Sequence, residues 1–314
     1  MVATERSGAL MRNARFDPVD GVLLLDKAVE VSSNAALQRA RRLLNARRGG
    51  HTGTLDPLAS GLLALTFGEA TKFSADLLDA DKCYRAQLVL GTTTTTGDAE
   101  GEIVERRPIA VTETEFGSVL SRFTGNIWQV PPMHSALKRN GQPLYRLARK
   151  GVAVERSARS VVVRRLWTIA WDTSEPTIGV ECGKGLYVRT LAEDIGAALG
   201  CGAHLGALHR TRVGSFDVRD AVGIEELERL SLEGRRERLL PVDALLQTLP
   251  RLDLDQQACE QLEHGLRVAC TAANTQRARV YGPRGRLLGV AVVDEGLLIA
   301  RRLLSQERML ELEP

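Results

Sequence analysis

The chain is poor in the features that mark secreted, metal-binding and membrane proteins. Its 314 residues include five cysteines, an odd number without a Cys-x-x-Cys pair, which argues against a disulfide framework and a zinc ribbon. The five histidines lack metal-ligand spacing. No run approaches the roughly 18 apolar residues of a membrane helix, and the polar start lacks a secretory apolar stretch. We therefore expect no structural metal, no membrane association and a cytoplasmic location.

Net charge is small, but the basic residues are clustered. The formal net charge is +3, yet six basic residues stand against Glu30 alone between Lys27 and Gly50. Nine stand against Glu155 alone between Lys138 and Arg165. Such clusters predict a polyanionic partner. Each cluster taken singly is equally compatible with a solvated helix or strand face.

The first part of the chain has the pattern of a strand followed by a helix. The run GVLLLDK, Gly21 to Lys27, predicts a buried strand that runs out to the surface at its charged end. The segment SSNAALQRARRLLN begins with capping residues and places Leu37, Ala40 and Leu44 on one helical face. We expect this basic amphipathic helix to stop at Gly49-Gly50.

Further strands and one helix follow at irregular spacing. YRAQLVLG, SVVVRRLWTIAW and TIGVECGKGLYVR are strand-like by their β-branched and aromatic content, and TLAEDIGAALG has a helical pattern. The irregular spacing favours an α/β (α+β) fold with a mixed, largely antiparallel sheet flanked by helices. The threonine run Thr92 to Thr96 is interpreted as a strand end or loop.

Composition and turn signals divide the chain into two domains after a polar tail. A hydrophobic content of 44% is ample for a large core. Pro241 and Pro250 bracket a weakly structured join, and RARVYGPRGRLLGVAVV beyond it predicts a β-hairpin. We expect a tail over residues 1–18, a main domain over 19–248 and a small β-rich domain over 249–314.

One acid, Asp56, stands among glycines and threonines in the stretch GGHTGTLDPLASGLL. Asp-Pro commonly starts a turn, with the carboxylate accepting hydrogen bonds from nearby backbone amides. Alternatively, the turn presents the carboxylate for catalysis. The stretch alone leaves both interpretations open.

A series of motifs decides between them by resemblance. GVLLLDK, SSNAALQ, GGHTGTLDPLASGLL, GEATKF, YRAQLVLG, PPMHSALK, GKGLYVRTLAEDIG and GCGAHLGALHR occur in this order. Together they resemble the TruB family of bacterial tRNA pseudouridine-55 synthases, from about Gly21 to Leu246. The resemblance implies a pseudouridine synthase fold with a C-terminal β-barrel PUA-like RNA-binding domain, and isomerisation of one uridine in the T-loop of tRNA.

The resemblance also assigns the site residues. It implies Asp56 as the catalytic carboxylate, Arg189 as the cation that keeps it charged, and Tyr84 as the tyrosine that stacks on the flipped uracil. The remaining pocket residues by resemblance are His51, Lys27, Tyr187 and Leu208. We interpret Tyr187 and Arg189 as lying on one face of a strand. The reaction involves no redox change or group-transfer energy, so we expect no cofactor.

Several alternatives stay open at this point. Asp56 could attack the sugar C1′, attack the base C6, or promote a glycal-like intermediate. The motifs depart from the family pattern at His134, where an aromatic is usual, and at Gly183 and Leu186, where small hydroxyl residues are common. A non-catalytic RNA-binding or RNA-folding protein would also fit the basic clusters and the β-rich C-terminal region. A monomer is the default expectation.

Overall fold

The computed structural model describes residues 16–305 except residues 134, 136, 140, 145, 146, 148–151 and 153. The strands before residue 250 are β1 (Gly21–Lys27), β2 (Gly49–His51), β3 (Ala59–Phe67), β4 (Lys82–Leu90), β5 (Thr92–Thr94), β6 (Ile103–Arg106), β7 (Gly125–Gln129), β8 (Lys138–Arg139), β9 (Gln142–Pro143), β10 (Arg159–Ala170), β11 (Thr177–Cys182), β12 (Ala203–Val213), β13 (Phe216–Asp217) and β14 (Val222–Gly223). The C-terminal strands are β15 (Arg251–Asp253), β16 (Val268–Ala269), β17 (Thr275–Tyr281), β18 (Leu287–Asp294) and β19 (Leu297–Leu303).

Short helices cover parts of these sheets. The α-helices are α1 (Ser33–Leu43), α2 (Ser74–Leu78), α3 (Glu113–Arg122), α4 (Val188–Ala198), α5 (Ile224–Arg229), α6 (Leu232–Glu237) and α7 (Gln256–Glu263). The 3-10 helices are Gly68–Phe73, Val218–Asp220, Val242–Leu246 and Pro283–Gly285. Within the described part of the chain, no helix is long and apolar enough to cross a membrane.

The large sheet is mixed and largely antiparallel, as predicted. Its strand order is β14-β1-β3-β12-β4-β11-β10-β7, with β13 paired to β12 and β2 paired to β3. The pairs β1–β14 and β3–β12 are parallel, and the other pairs of this sheet are antiparallel. The predicted strands at YRAQLVLG and SVVVRRLWTIAW are confirmed as β4 and β10. The start of the threonine run forms β5, a strand end as expected.

Helix α1 begins as predicted and ends earlier than predicted. The Ser32 hydroxyl caps it by accepting a hydrogen bond from the Ala35 amide at 3.2 Å. Its buried face, which includes Leu37, packs against one face of β1 and β3. Asn45 adopts φ 53°, a left-handed conformation that terminates the helix ahead of the glycine pair. Gly49 and Gly50 instead belong to β2, so the predicted stop at these residues is wrong.

The predicted strand TIGVECGKGLYVR is also too long. Strand β11 ends at Cys182, and Gly185 adopts φ 86° in the following turn, which interrupts the strand. Helix α4 begins at Val188, so Tyr187 precedes the helix and Arg189 lies in its first turn. The interpretation that Tyr187 and Arg189 share a strand face is therefore wrong.

The C-terminal sheet packs against the large sheet. Its order is β15-β17-β18-β19-β16, and β17 and β18 form the predicted antiparallel hairpin. Leu288 and Leu298 join one apolar cluster with Val22 and Leu24, whose side chains lie on the face of β1 opposite α1. The Lys72 ammonium adds a hydrogen bond to the carbonyl of Leu303 at 3.1 Å. The two sheets therefore share a hydrophobic core.

Candidate active site

Asp56 lies in a tight turn between β2 and β3. The turn is closed through the backbone, because the Ala59 amide donates to the Asp56 carbonyl at 3.0 Å. The Glu30 amide donates to the next carbonyl, that of Pro57, at 2.8 Å. The side chain of Asp56 is 43% exposed and points into a cleft. The turn therefore holds the backbone and presents the carboxylate.

Two buried side chains anchor the residues that precede Asp56. The Ser33 hydroxyl accepts a hydrogen bond from the Leu55 amide at 2.8 Å and donates one to the Leu55 carbonyl at 2.9 Å. The Arg210 guanidinium donates to the carbonyl of Gly53 at 3.1 Å. These bonds join the loop to α1 and to β12. They fix the direction in which Asp56 leaves the loop.

The carboxylate of Asp56 forms an ion pair with Arg189. Nη2 of Arg189 lies 2.9 Å from Oδ2 of Asp56, and the Arg189 side chain is only 7% exposed. A buried guanidinium is poorly solvated, so its interaction with a carboxylate is screened less than that of a surface pair. Arg189 therefore fixes the position of the Asp56 carboxylate from the interior of the protein.

A second carboxylate, that of Asp98, holds Arg189 from the other side. Oδ2 of Asp98 lies 3.5 Å from Nε of Arg189, and this aspartate side chain is 4% exposed. The Thr96 carbonyl accepts a hydrogen bond from Nη1 of Arg189 at 3.3 Å, and the Thr96 hydroxyl donates to Asp98. The end of the threonine run thus supports the candidate site, a role that its composition alone does not predict.

The sequence gives few signals for Asp98. Its position between Gly97 and Ala99 is typical of a polar turn, and its burial depends on strands brought together from distant parts of the chain. A buried carboxylate requires a partner. The sequence alone shows neither that Asp98 is buried nor that Arg189 is its partner, so the need for a partner cannot identify Asp98.

A cleft of about 260 Å³ opens above the Asp56–Arg189 pair. Tyr84 from β4, Leu208 from β12 and Tyr187 from the start of α4 line it. The structure therefore brings Tyr187 and Arg189 to one cleft through a helix start. Gln129 of β7 fixes Tyr187: its side chain accepts from the Tyr187 amide at 3.1 Å and donates to the Tyr187 carbonyl at 3.3 Å.

Burial changes the acidity of both tyrosines. Burial raises the pKa of Tyr84, and the nearby Arg210 guanidinium opposes this rise. Burial likewise raises the pKa of Tyr187, and a hydrogen bond with Ser135 opposes it. Both phenols therefore stay protonated around neutral pH.

Lys27 and His51 complete the set of residues that the resemblance assigns. The Lys27 ammonium is buried and donates to the carbonyls of Ala28 and Val31 at 2.8 and 2.6 Å. The prediction that the strand runs out to the surface at Lys27 is therefore wrong. Burial lowers the pKa of Lys27 to about 8, partly opposed by the Asp56 carboxylate. Burial also lowers the pKa of His51, which lines an adjoining cavity of about 510 Å³ with Asp56.

The basic clusters are less uniform than their composition suggests. Arg39 pairs with Glu228 at 2.7 Å, and Lys27 is buried. Arg42, Arg47 and Arg48 are exposed and form no ion pair with any residue that the structure describes. Six of the 13 residues from Lys138 to Lys150, including three basic residues of the second cluster, lie outside the described residues, and so does His134.

The described residues contain no group of three histidine, cysteine, aspartate or glutamate side chains arranged to hold a metal ion. The chemistry available in the cleft is that of a carboxylate, a guanidinium and two phenols. Such groups can attack a carbon, move protons and stack on a planar base.

Comparison with known proteins places this fold among the pseudouridine synthases. The model for the family described as TruB family pseudouridylate synthase (N terminal domain) matches residues 41–188. Models for a tRNA pseudouridylate synthase B C-terminal domain and for Pseudouridine synthase II TruB, C-terminal, match residues 189–247 and 250–304. The chain belongs to the TruB family.

Relatives and solved structures agree with this assignment. The chain is 54% identical over 288 residues to tRNA pseudouridine synthase B of Dechloromonas aromatica (strain RCB), covering 92% of this chain and 96% of that protein. It is 54% identical over 295 residues to the protein of the same name from Ralstonia nicotianae (strain ATCC BAA-1114 / GMI1000), covering 91% and 94%. A chain in the crystal structure of a Cbf5-Nop10-Gar1 complex shares the fold, with a TM-score of 0.66 at 24% identity over 95% of this chain and 82% of that one.

Proposed function

We propose that the protein isomerises uridine 55 in the T-loop of tRNA to pseudouridine, with Asp56 as the catalytic carboxylate. The observation that carries this proposal is the ion pair between Asp56 and Arg189 at the floor of a cleft lined by Tyr84 and Tyr187. The relatives named tRNA pseudouridine synthase B supply the substrate class.

The reaction breaks the bond between C1′ and N1 and forms one between C1′ and C5. The proton on C5 leaves and N1 gains a proton, so atoms and electrons balance without a cofactor. Asp56 acts as a nucleophile or promotes elimination, since its carboxylate is oriented by Arg189 and reaches the cleft. Tyr84, which lines the cleft, stacks on the base and takes the proton from C5.

The target uridine must leave its stack to reach Asp56. Stacking on the aromatic rings of the cleft recovers part of the cost of unstacking a base. His51, at the edge of the adjoining cavity, occupies the T-loop position that the base vacates. Tyr187 and Leu208 complete the pocket around the flipped base. Lys27 acts from its buried position, where its ammonium holds the carbonyls of Ala28 and Val31 and its charge favours the Asp56 carboxylate.

We further propose that the domain division falls near residue 248 and that a monomer binds one tRNA. Residues 19–248 carry the cleft, and residues 249–314 contact parts of the tRNA distant from the T-loop. Arg42 in the last turn of α1 and Arg47 and Arg48 just before β2 are exposed, and they contact the phosphates of the T-arm.

A non-catalytic tRNA-binding or tRNA-folding protein is the alternative. The two functions are separated by tritium release from a T-arm stem-loop labelled at C5 of uridine. We expect release that matches one uridine per RNA, located at position 55 by mapping the modified nucleotide. Tight binding of the stem-loop without tritium release would favour the alternative.

A further inference from the structure

Arg210 is a buried cation without a carboxylate partner in the described part of the chain. The residue is 2% exposed and is the largest of the fully buried side chains that the structure describes. Nε donates to the carbonyl of Leu62 at 2.7 Å, and Nη2 donates to that of Gly53 at 3.1 Å. Burying an unpaired guanidinium is costly. A residue that serves only packing would be better replaced by an apolar one, so the charge has another use.

The backbone around Arg210 fixes where its side chain lies. In β12 it pairs with Tyr84 of β4 on one side and with Gly61 of β3 on the other. Gly61 adopts φ 97°, and a Cβ there would lie 2.4 Å from the Arg210 carbonyl oxygen. Only glycine accommodates both the conformation and the contact. The guanidinium is thus held between the Asp56 loop and the cleft tyrosine.

The charge of Arg210 reaches several groups of the site. Burial raises the pKa of Tyr84, and the Arg210 charge lowers it. The Cys182 thiol and the Asp56 carboxylate raise it further. The Arg210 charge also lowers the pKa of Lys27, whereas the carboxylates of Asp56 and Glu100 raise that pKa. A fixed charge in a dry site needs no reorganisation when a neighbouring group changes its charge.

We propose that Arg210 is a positioning residue for this reaction, which holds the Asp56 loop through the Gly53 carbonyl and keeps a fixed positive charge beside the Tyr84 phenol. The proposal rests on the proposed function for its effect on rate. Its electrostatic part concerns the free protein and does not depend on activity. Among the described residues, no ion pair or hydrogen bond joins Arg210 to Asp56, so its effect on Asp56 passes through the loop.

Ser33 provides the matched control. It also anchors the Asp56 loop, through Leu55, and it is equally buried, but it carries no charge. Ser33→Ala therefore loosens the loop without changing the field at Tyr84. Arg210→Gln removes the charge and keeps a donor, while Arg210→Lys keeps the charge but cannot bridge two carbonyls as a planar fork does.

The first readout is the titration of Tyr84 in the free protein. The chain has four tyrosines, so ¹⁹F NMR of 3-fluorotyrosine-labelled protein resolves each, and Tyr84→Phe assigns the signal. We expect Tyr84 to titrate at higher pH in Arg210→Gln and at the wild-type pH in Ser33→Ala. An unchanged titration in folded Arg210→Gln would overturn the electrostatic part.

The second readout is the single-turnover rate at saturating T-arm RNA. We expect at least a tenfold loss in Arg210→Gln, with RNA affinity within about threefold of wild type. If Arg210→Gln does not fold, Arg210→Lys decides: the proposal requires a wild-type Tyr84 titration with a reduced rate. A wild-type rate in Arg210→Lys would show that the clamp on Gly53 is dispensable. Inactive wild-type protein with a shifted Tyr84 titration in Arg210→Gln would contradict the proposed function and leave the electrostatic role of Arg210 standing.

Discussion

The buried Arg189 guanidinium lies 2.9 Å from the carboxylate of Asp56, and the two side chains differ sharply in exposure, 7% against 43%. The cation is inside the protein and the anion faces the cleft. This asymmetry distinguishes the pair from a surface salt bridge, in which both partners are solvated and the pair contributes little. A carboxylate that is held by a buried cation keeps its orientation, while its exposed side stays accessible to a substrate in the cleft.

Arg189→Lys should lower the single-turnover rate about 100-fold and leave RNA affinity nearly unchanged. An ammonium cannot contact Asp56, Asp98 and the Thr96 carbonyl as a planar guanidinium does, and small misplacements of a reacting group are costly. The measurement is rapid-quench kinetics at saturating RNA.

The exposed pair Arg164–Asp81 offers the matched control for that substitution. Nε and Nη2 of Arg164 donate to the carboxylate at 2.6 and 3.1 Å, so Arg164→Lys makes the same substitution in an arginine–aspartate pair outside the cleft. We expect a wild-type rate there. Equal rates in Arg189→Lys and wild type would mean that this pairing does not activate Asp56.

Lys27 should make the stability of the protein depend on alkaline pH. Its pKa is lowered from 10.5 to about 8 by burial, so the unfolded chain binds more protons than the folded one between these values. Stability must then rise with pH across this window. We expect the free energy of unfolding of wild type, relative to Lys27→Met, to increase by about 2 kcal/mol from pH 7.5 to pH 9.5. Urea unfolding at both pH values measures it, and a constant difference would contradict a lowered pKa.

Reversing charge at Arg47 and Arg48 should weaken RNA binding and reduce its dependence on salt. Each lost phosphate contact lowers the slope of log affinity against log salt by about one, so the double variant Arg47→Glu/Arg48→Glu should lose about two. The matched control is the double variant Arg106→Glu/Arg107→Glu, which changes the net charge by the same amount. Arg106 lies at the open end of the β5–β6 hairpin, away from the turn between these strands that carries Asp98. Equal slopes in both variants would place the RNA elsewhere.

Removal of residues 249–314 should destabilise the rest of the protein. A chain that ends at Thr248 loses Leu288 and Leu298 and exposes Val22 and Leu24, which share their apolar cluster. Losing buried leucines costs about 2–5 kcal/mol each. We expect one cooperative thermal transition in the full chain and aggregation or a much lower Tm in the shortened one. Two separate transitions in the full chain would show that the halves are independent.

Much of the fold could be predicted from the sequence, because its strands and helix α1 carry local signals. The β-branched runs at β4 and β10 and the capping serine of α1 are examples. The positions at which helices and strands end could be predicted less well. The left-handed Asn45 and the turn at Gly185 stop their elements in places that composition does not mark.

The candidate site could be predicted only where motifs name its residues. Asp56 and Arg189 stand in such motifs, and the structure places them together. Asp98, Ser33 and Arg210 act through contacts between distant parts of the chain: Arg210 and Gly53 are 157 residues apart. The sequence also does not predict the burial of Lys27, because a charged residue at a strand end is usually solvated. Here the Lys27 ammonium instead donates hydrogen bonds to two backbone carbonyls.

The measurement that tests the central claim most directly is tritium release by Asp56→Asn from a C5-labelled T-arm stem-loop under single-turnover conditions. The amide keeps the shape of the side chain but cannot act as a nucleophile or a base. With binding of the RNA matched to wild type and deamidation excluded by mass spectrometry, the account predicts no release above background. Measurable turnover by the intact Asp56→Asn protein would contradict it.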